Sequence, residues 1–247
     1  MHLFFADIID NEAFLNEEDS KHCVNVLRLR ENAEILLTDG NGQMATCKII
    51  LANPKKVVAK VLNLRIFPKN EHKVHLVTAP TKNIDRFEFM LEKITEIGVS
   101  EITPIFTHYS ERKILRLDRC DKVITAAVKQ CQIPFKPQLN NATDYQSFLR
   151  IMQEIESEIS DLFIAYCGNE FEKIPLSEAL RSKTHAKTSI LIGPEGDFSV
   201  EEVKKIVDMG GKVVSLSENR LRTETAGIVA AVLAENQKNH SEQQDNQ

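Results

Sequence analysis

The chain has 247 residues, 42% of them hydrophobic, and a formal net charge of -5, which is enough for two modest domains, each with its own core. No apolar run approaches the roughly 20 residues that cross a bilayer, so no membrane partner is expected. The start, MHLFFADIIDNEAF, lacks the basic-then-apolar order of a secretion signal, which points to a cytoplasmic protein. Cys23, Cys47, Cys120, Cys131 and Cys167 are odd in number and scattered, with no C-x-x-C pair, and are expected to be buried and reduced. The histidines also lack metal spacing: His72 and His75 stand three apart near a strand, where they would face opposite sides, so no metal is expected.

The net charge hides an asymmetry. Between residues 20 and 82 the chain carries eleven Lys and Arg against four Asp and Glu, and the rest is correspondingly acidic. Phosphate binding needs such a local excess, because local potential gathers a polyanion. Composition alone fits a solvated lysine-rich surface equally well.

From His2 to about Ile66 the pattern is short and strand-like. Ala33 to Thr38 runs into Asp39-Gly40-Asn41-Gly42, whose residues tolerate positive φ, and Met44 to Leu51 returns, predicting a hairpin. Lys56 to Leu64 alternates with the period of a half-buried strand. A small β-barrel over residues 1–70 follows, closed by the polar boundary Pro68-Lys69-Asn70-Glu71.

Beyond it the pattern changes to strand, loop, helix. Val74 to Ala79 is a strand, and Asp85 to Ile97 sets Phe87, Met90, Leu91, Ile94 and Ile97 on one helical face, with Asp85 and Glu88 as a capping box and Gly98 as terminator. Strands Ile102 to Phe106, Asp161 to Tyr166, Ser189 to Ile192 and Lys212 to Leu216 alternate with helices near Arg119 to Cys131, Tyr145 to Glu158, Ser199 to Met209 and Thr225 to Glu235. This predicts an α/β domain, residues 71–236, with a mainly parallel sheet covered by helices. The tail, residues 237–247, has too little apolar content to fold by itself and is expected to be disordered.

Two stretches carry chemistry. In SILIGPEGDFSVEEVKKI, Gly193 and Gly196 bracket Pro194 and Glu195 at the carboxyl end of a strand, where parallel sheets bind ligands. Ser199 and Glu202 then form a capping box for the next helix. In ENRLRTETAGIVAAVLAEN, Arg220, Arg222 and Glu224 crowd the start of a helix built on Ala226, Gly227, Ala230, Ala231 and Ala234. Buried charge must be paired or used. Two readings stay open from the residues alone: a ligand site, or a tight turn and a solvated helix start with the alanines packing inside a monomer or across a dimer.

GPEG after a strand, followed by a strand and LRTETA, closely resembles the RsmE family of 16S rRNA uridine-N3 methyltransferases, of the SPOUT superfamily. The segment from His22 to Arg28 (HCVNVLR) is similar to the family's H-x-x-x-V-L-R element, and Glu92 to Arg112 resembles its central helix, strand and loop. The resemblance covers nearly the whole chain. It implies an N-terminal PUA-like β-barrel that helps to hold RNA, and a C-terminal α/β domain with a trefoil knot. It also implies a homodimer, the cofactor S-adenosyl-L-methionine and a target at uridine 1498 of 16S rRNA in the small ribosomal subunit.

The cofactor loops implied are Leu191, Ile192, Gly193, Pro194, Glu195 and Gly196; Ser215, Leu216 and Ser217; and Leu221, Arg222 and Thr223. Catalytic roles fall to Arg222, which would orient or stabilise the uracil, and to Glu195 or Glu224, either of which would assist deprotonation or merely brace its loop. His22, Arg28, Arg30, Arg112 and Lys113 are the candidate RNA contacts. The chain departs from the family at Asp197 and Ser217, where glycine is common, and at Gln132, where arginine is frequent. Alternatives are another SPOUT RNA methyltransferase or a non-catalytic RNA-binding assembly factor.

Overall fold

The computed structural model describes residues 1–9, 11–154, 160–182 and 185–244. Contacts divide it into two units, Met1–Asn70 with Thr125–Lys136, and Glu71–Ile124 with Pro137–Gln247.

The first unit is a closed barrel. Strands β1 (Leu3–Ile9), β2 (Glu12–Leu15), β3 (Glu34–Thr38), β4 (Gln43–Asn53) and β5 (Lys56–Ile66) run in the order β1-β2-β5-β4-β3. A parallel pairing of Leu3 to Phe5 with Leu36 to Thr38 closes the ring and so removes both sheet edges. Alternate residues of β4 point inward, and Ala45, Cys47 and Ile49 pack with Phe4, Ile35 and Leu37 in the core. The β3–β4 hairpin turns where predicted: Gly40 and Gly42 have φ of +73° and +107°, and the Asp39 carboxylate accepts the Asn41 and Gln43 amides at 2.7 and 3.0 Å.

Between β2 and β3 lies α1 (Glu17–Lys21), capped by the Asn16 side chain, followed by a π-helical turn over His22–Val26. Neither was anticipated. Residues 125–136, which the alternation of strand and helix assigns to the α/β domain, group with the barrel instead; Lys129 pairs with the buried Asp19 carboxylate at 2.5 Å.

The second unit is built on β6 (Lys73–Thr78), α2 (Ile84–Ile97), β7 (Glu101–Phe106), α3 (Leu117–Cys131), β8 (Gln138–Leu139), β9 (Thr143–Asp144), α4 (Tyr145–Glu154), β10 (Ser160–Ala165), β11 (Ile174–Pro175), α5 (Leu176–Ala179), β12 (Lys187–Ile192), α6 (Val200–Asp208), β13 (Lys212–Ser215) and α7 (Thr223–Gln244). The C-terminal half of α3 groups with the barrel, as above. The sheet is parallel in the order β11-β13-β10-β12-β6-β7-β8, with β9 also on β7.

Strand periodicity of two feeds both faces. Val74, Leu76, Phe163, Ile190, Ile192 and Val214 join α2 and α7 in one core, while Val77, Ile164, Leu191 and Val213 join α4 and α6 in the other. The alanines of α7 are spent inside the chain: Ala230, Ala231 and Ala234 are buried in the first of these cores. A Cβ at Gly227 would overlap the Met90 sulfur, so glycine there lets α7 lie close on α2.

Several local expectations are corrected. The cap of α2 is Asn83, whose side chain accepts the Asp85 amide at 2.9 Å, and Glu88 instead pairs with Arg119. Gly98 ends α2 with φ +104°, as predicted. Helix α7 runs to Gln244 rather than ending at Glu235, because residues 236 to 244 contain neither Gly nor Pro to stop it; positions 245–247 of the expected tail lie outside the described residues. So does the expected continuation of α4 through 155–158. Of the cysteines, Cys131 and Cys167 are exposed rather than buried, Cys131 as the last residue of α3 and Cys167 in the loop after β10. No helix is long and apolar enough to cross a membrane among the described residues.

Candidate active site

The topology brings together the loops that follow β10, β12 and β13, since β10 lies between the other two in the sheet. At these carboxyl ends is a cleft of about 520 Å³, within the roughly 300–1,000 Å³ typical of small-molecule sites.

Its first wall is the loop after β12. Ile192, Gly193, Pro194, Glu195 and Asp197 line it. The Asp197 amide donates to the Pro194 carbonyl at 2.9 Å, closing a tight turn. Phe198 drops into the core beneath, and a Cβ on Gly193 would stand only 3.1 Å from its ring. Ser199 then starts α6 with the predicted capping box, completed by Glu202. The other carboxylate oxygen of Glu202 accepts the His108 amide at 2.9 Å and so fastens the loop after β7. Tyr109 from that loop packs on Gly196, where a Cβ would come within 2.8 Å of it.

Ser215 to Thr223, with Glu224 and Ala226, form the second wall. Of the predicted residues this includes Ser215, Leu216, Ser217, Leu221, Arg222, Thr223 and Glu224. Leu191 and Gly196 are not on the lining: Leu191 is fully buried among Val77 and Ile206, and Gly196 faces Tyr109. The third wall was missed altogether. Ala165, Tyr166 and Cys167, with Lys173 and Arg86, complete the cleft. Only the strand order shows that the end of β10 reaches this place.

The three predicted catalytic groups share the cleft but differ in their commitments. Glu195 is exposed, and its Oε1 accepts the Lys82 amide at 3.0 Å. Glu224 is 9% exposed, with its Oε1 3.8 Å from Nε of Arg86. The Arg220 guanidinium donates to the Glu195 carbonyl at 3.3 Å. Arg222 is exposed, and its guanidinium has no partner among the described residues. Tyr166 donates to Glu170 at 2.9 Å; burial first and that bond second push its phenol up to about 12, which removes it as a proton acceptor near neutrality.

Arg112, half-buried, and Lys113, exposed, lie off the cleft lining and are engaged with backbone. Arg112 donates to the Thr81 and Lys82 carbonyls at 3.1 and 2.8 Å, and Lys113 to that of Thr107 at 3.3 Å. In the barrel, His22, Arg28 and Arg30 are all exposed. Arg28 has a left-handed backbone, φ +55°, and Arg30 touches the Val24 carbonyl at 3.5 Å.

With this geometry in view, known proteins place the chain. A family model described as the RNA methyltransferase domain matches residues 68–235, and one described as the RNA methyltransferase PUA domain matches residues 15–62. Ribosomal RNA small subunit methyltransferase E of Bacillus subtilis is 26% identical over 230 residues, covering 86% of this chain and 85% of the relative. Among solved structures, a probable rRNA-methyltransferase from Porphyromonas gingivalis is 31% identical over the whole of both chains, with a TM-score of 0.82. Ribosomal RNA small subunit methyltransferase E from Neisseria gonorrhoeae, solved bound to S-adenosyl methionine, is 26% identical with a TM-score of 0.78, covering 94% of this chain and 95% of that one.

The fold and its cleft thus define an RNA methyltransferase domain joined to a PUA domain. The chain belongs to the ribosomal RNA small subunit methyltransferase E family, RsmE.

Proposed function

We propose that the protein methylates N3 of a uridine, position 1498, in 16S rRNA of the small ribosomal subunit, using S-adenosylmethionine. The observation that carries this reading is the meeting of GPEG and LRTET on one cleft with an unpartnered arginine, Arg222, exposed in it. The residues fit the donor. Ile192, Leu216 and Leu221 offer apolar walls, and Glu195, Asp197 and Glu218 share the lining with Lys173, Arg220 and Arg222, which suits a donor that carries charges of both signs. When bound there, S-adenosylmethionine supplies a methyl group on a cationic sulfur.

The chain's own residues then have two roles. Transfer is an in-line displacement, so holding the partners aligned provides much of the acceleration, and the cross-tied loops supply that rigidity. The imide proton on uracil N3 must leave first. Arg222 stabilises the anion that forms, while Glu195 or Glu224 takes the proton. Replacing each in turn separates them: the variant that removes the base, Glu195→Gln or Glu224→Gln, is expected to lose the acid limb of the turnover–pH profile. If both keep the wild-type profile, neither carboxylate is the base.

His22, Arg28, Arg30, Arg112 and Lys113 contact RNA phosphates on this reading. For the exposed barrel pair, Arg28→Glu and Arg30→Glu are expected each to weaken RNA binding and flatten its salt dependence by about one unit of slope; an unchanged slope removes them. The reading also includes a SPOUT trefoil knot in the cleft loops, a homodimer, and a cytoplasmic site of action where ribosomes assemble. Its test is mass spectrometry of small-subunit rRNA from a deletion strain. One N3-methyluridine should vanish and return with the gene, and its persistence would overturn the assignment.

A further inference from the structure

The wall of the cleft holds a carboxylate, Asp197, that has no part in the proposed proton transfer. Asp197 stands at φ +66°, a backbone conformation for which glycine is the default residue and which aspartate tolerates through local hydrogen bonds. Its two oxygens are both engaged. Oδ1 accepts the amide of the next residue, Phe198, at 2.8 Å, and Oδ2 accepts the amide of Cys167 at 2.8 Å. The first bond is local. The second crosses thirty residues and ties the loop after β12 to the loop after β10, two of the three walls. Glycine at this position would keep the backbone turn and lose the tie.

The charge matters separately from the tie. Glu224 is offset by Arg86, 3.8 Å away. Asp197 has no ion pair within 4 Å among the described residues; Lys173 and Arg220 line the same cleft without pairing to it, so its charge is offset only in part and still acts on what occupies the cleft. Amide donors hold the carboxylate in place without neutralising it, which is how a fixed charge is presented to a ligand with little reorganisation.

We propose that Asp197 is a positioning and selectivity residue: it laces the loop after β10 to the loop after β12, and it makes the cleft prefer a cationic ligand to the neutral form of the same molecule. This rests on the methyl-donor reading, under which the two forms are S-adenosylmethionine and the thioether left after transfer, S-adenosylhomocysteine. Asp197 then favours exchange of spent product for fresh donor. A fixed carboxylate on the wall of a partly wet cleft would contribute a preference of about fivefold for a cation held there.

The test uses the full-length protein and two readouts, neither of which is turnover. Affinities for S-adenosylmethionine and S-adenosylhomocysteine are measured by calorimetry for wild type, Asp197→Asn and Asp197→Gly, both of which suit a left-handed backbone. The preference for the cation should fall about fivefold in both variants. In parallel, alkylation of the exposed Cys167 by iodoacetamide is followed against pH by peptide mass spectrometry, with the exposed Cys131 as internal reference. Burial first and the Asp197 charge second raise the Cys167 thiol, opposed by Arg220 and Lys173. Removing the charge should therefore move its labelling profile to lower pH.

A preference unchanged in both variants overturns the selectivity. The lacing is read from the alkylation rate of Cys167 on its high-pH plateau, which should rise in Asp197→Gly and not in Asp197→Asn, whose side-chain oxygen still accepts the Cys167 amide; equal plateau rates in the two variants overturn the lacing. A wild-type chain that binds neither compound overturns the methyl-donor reading and the selectivity with it, while the plateau rates still decide the lacing.

Discussion

Replacing Arg222 by alanine is expected to lower the turnover of methyl transfer by roughly 10²- to 10³-fold, the scale on which loss of one charge-stabilising donor acts in an excluded site. The physical case rests on what Arg222 is not doing. Arg220, two residues before it, donates to the Glu195 carbonyl, and Arg86 faces Glu224. Arg112 is bound to the Thr81 and Lys82 carbonyls. The Arg222 guanidinium alone of these four has no partner among the described residues, although it lines the cleft. An exposed arginine without contacts contributes little to folding, so Arg222→Ala should unfold within about 0.5 kcal/mol of wild type. Arg222→Lys keeps the charge but loses the planar fork, and should recover only part of the rate. Turnover within about threefold of wild type for Arg222→Ala would remove the residue from the mechanism.

Local devices were the readable part of the sequence. The hairpin at Asp39 to Gly42 is present with both glycines at positive φ, and the capping box at Ser199 and Glu202 is present with the predicted partners. Apolar periodicity located the long strands and helices for the same reason. It failed where structure is set by distant partners. Asp85 and Glu88 have the spacing of a capping box, yet Asn83 caps α2 while Glu88 turns to Arg119, thirty-one residues away. Strands β8, β9 and β11 have two residues each, too few for any period to register.

The site follows the same division. GPEG and LRTET were legible because glycine turns and charge at a strand end or helix start are visible in one dimension. Tyr166 and Cys167 were not, because they reach the cleft through the order of strands, with β10 seated between β12 and β13. Asp197 lies between these cases. Its tolerance for positive φ could be read from its side chain, whereas its bond to the Cys167 amide could not.

Acid should destabilise the α/β unit through one buried histidine. His75, in the middle of the sheet, is 3% exposed. Its Nε2 lies 2.7 Å from the Thr103 hydroxyl and its Nδ1 3.3 Å from that of Ser189, on the two neighbouring strands. The charged groups facing it are Glu101 on β7, 3.7 Å from Nε2, and Lys187 on β12, itself paired with Glu101. Burial outweighs the attraction of Glu101 and pushes the imidazole down to about 4. The unfolded chain takes up this proton near pH 6.5, so the contribution to stability is complete above that value and is lost as pH falls towards 4. Between pH 7 and pH 4 the loss is about 3 kcal/mol. Other carboxylates titrate over the same range, so the measurement is a difference: denaturant unfolding of wild type and of His75→Gln, a neutral side chain that can still meet both hydroxyls. The stability of wild type relative to the variant should decline by about 3 kcal/mol from pH 7 to pH 4. A difference that stays constant with pH would show that His75 is charged in the folded protein or free to gain its proton there, and the buried neutral imidazole would be refuted.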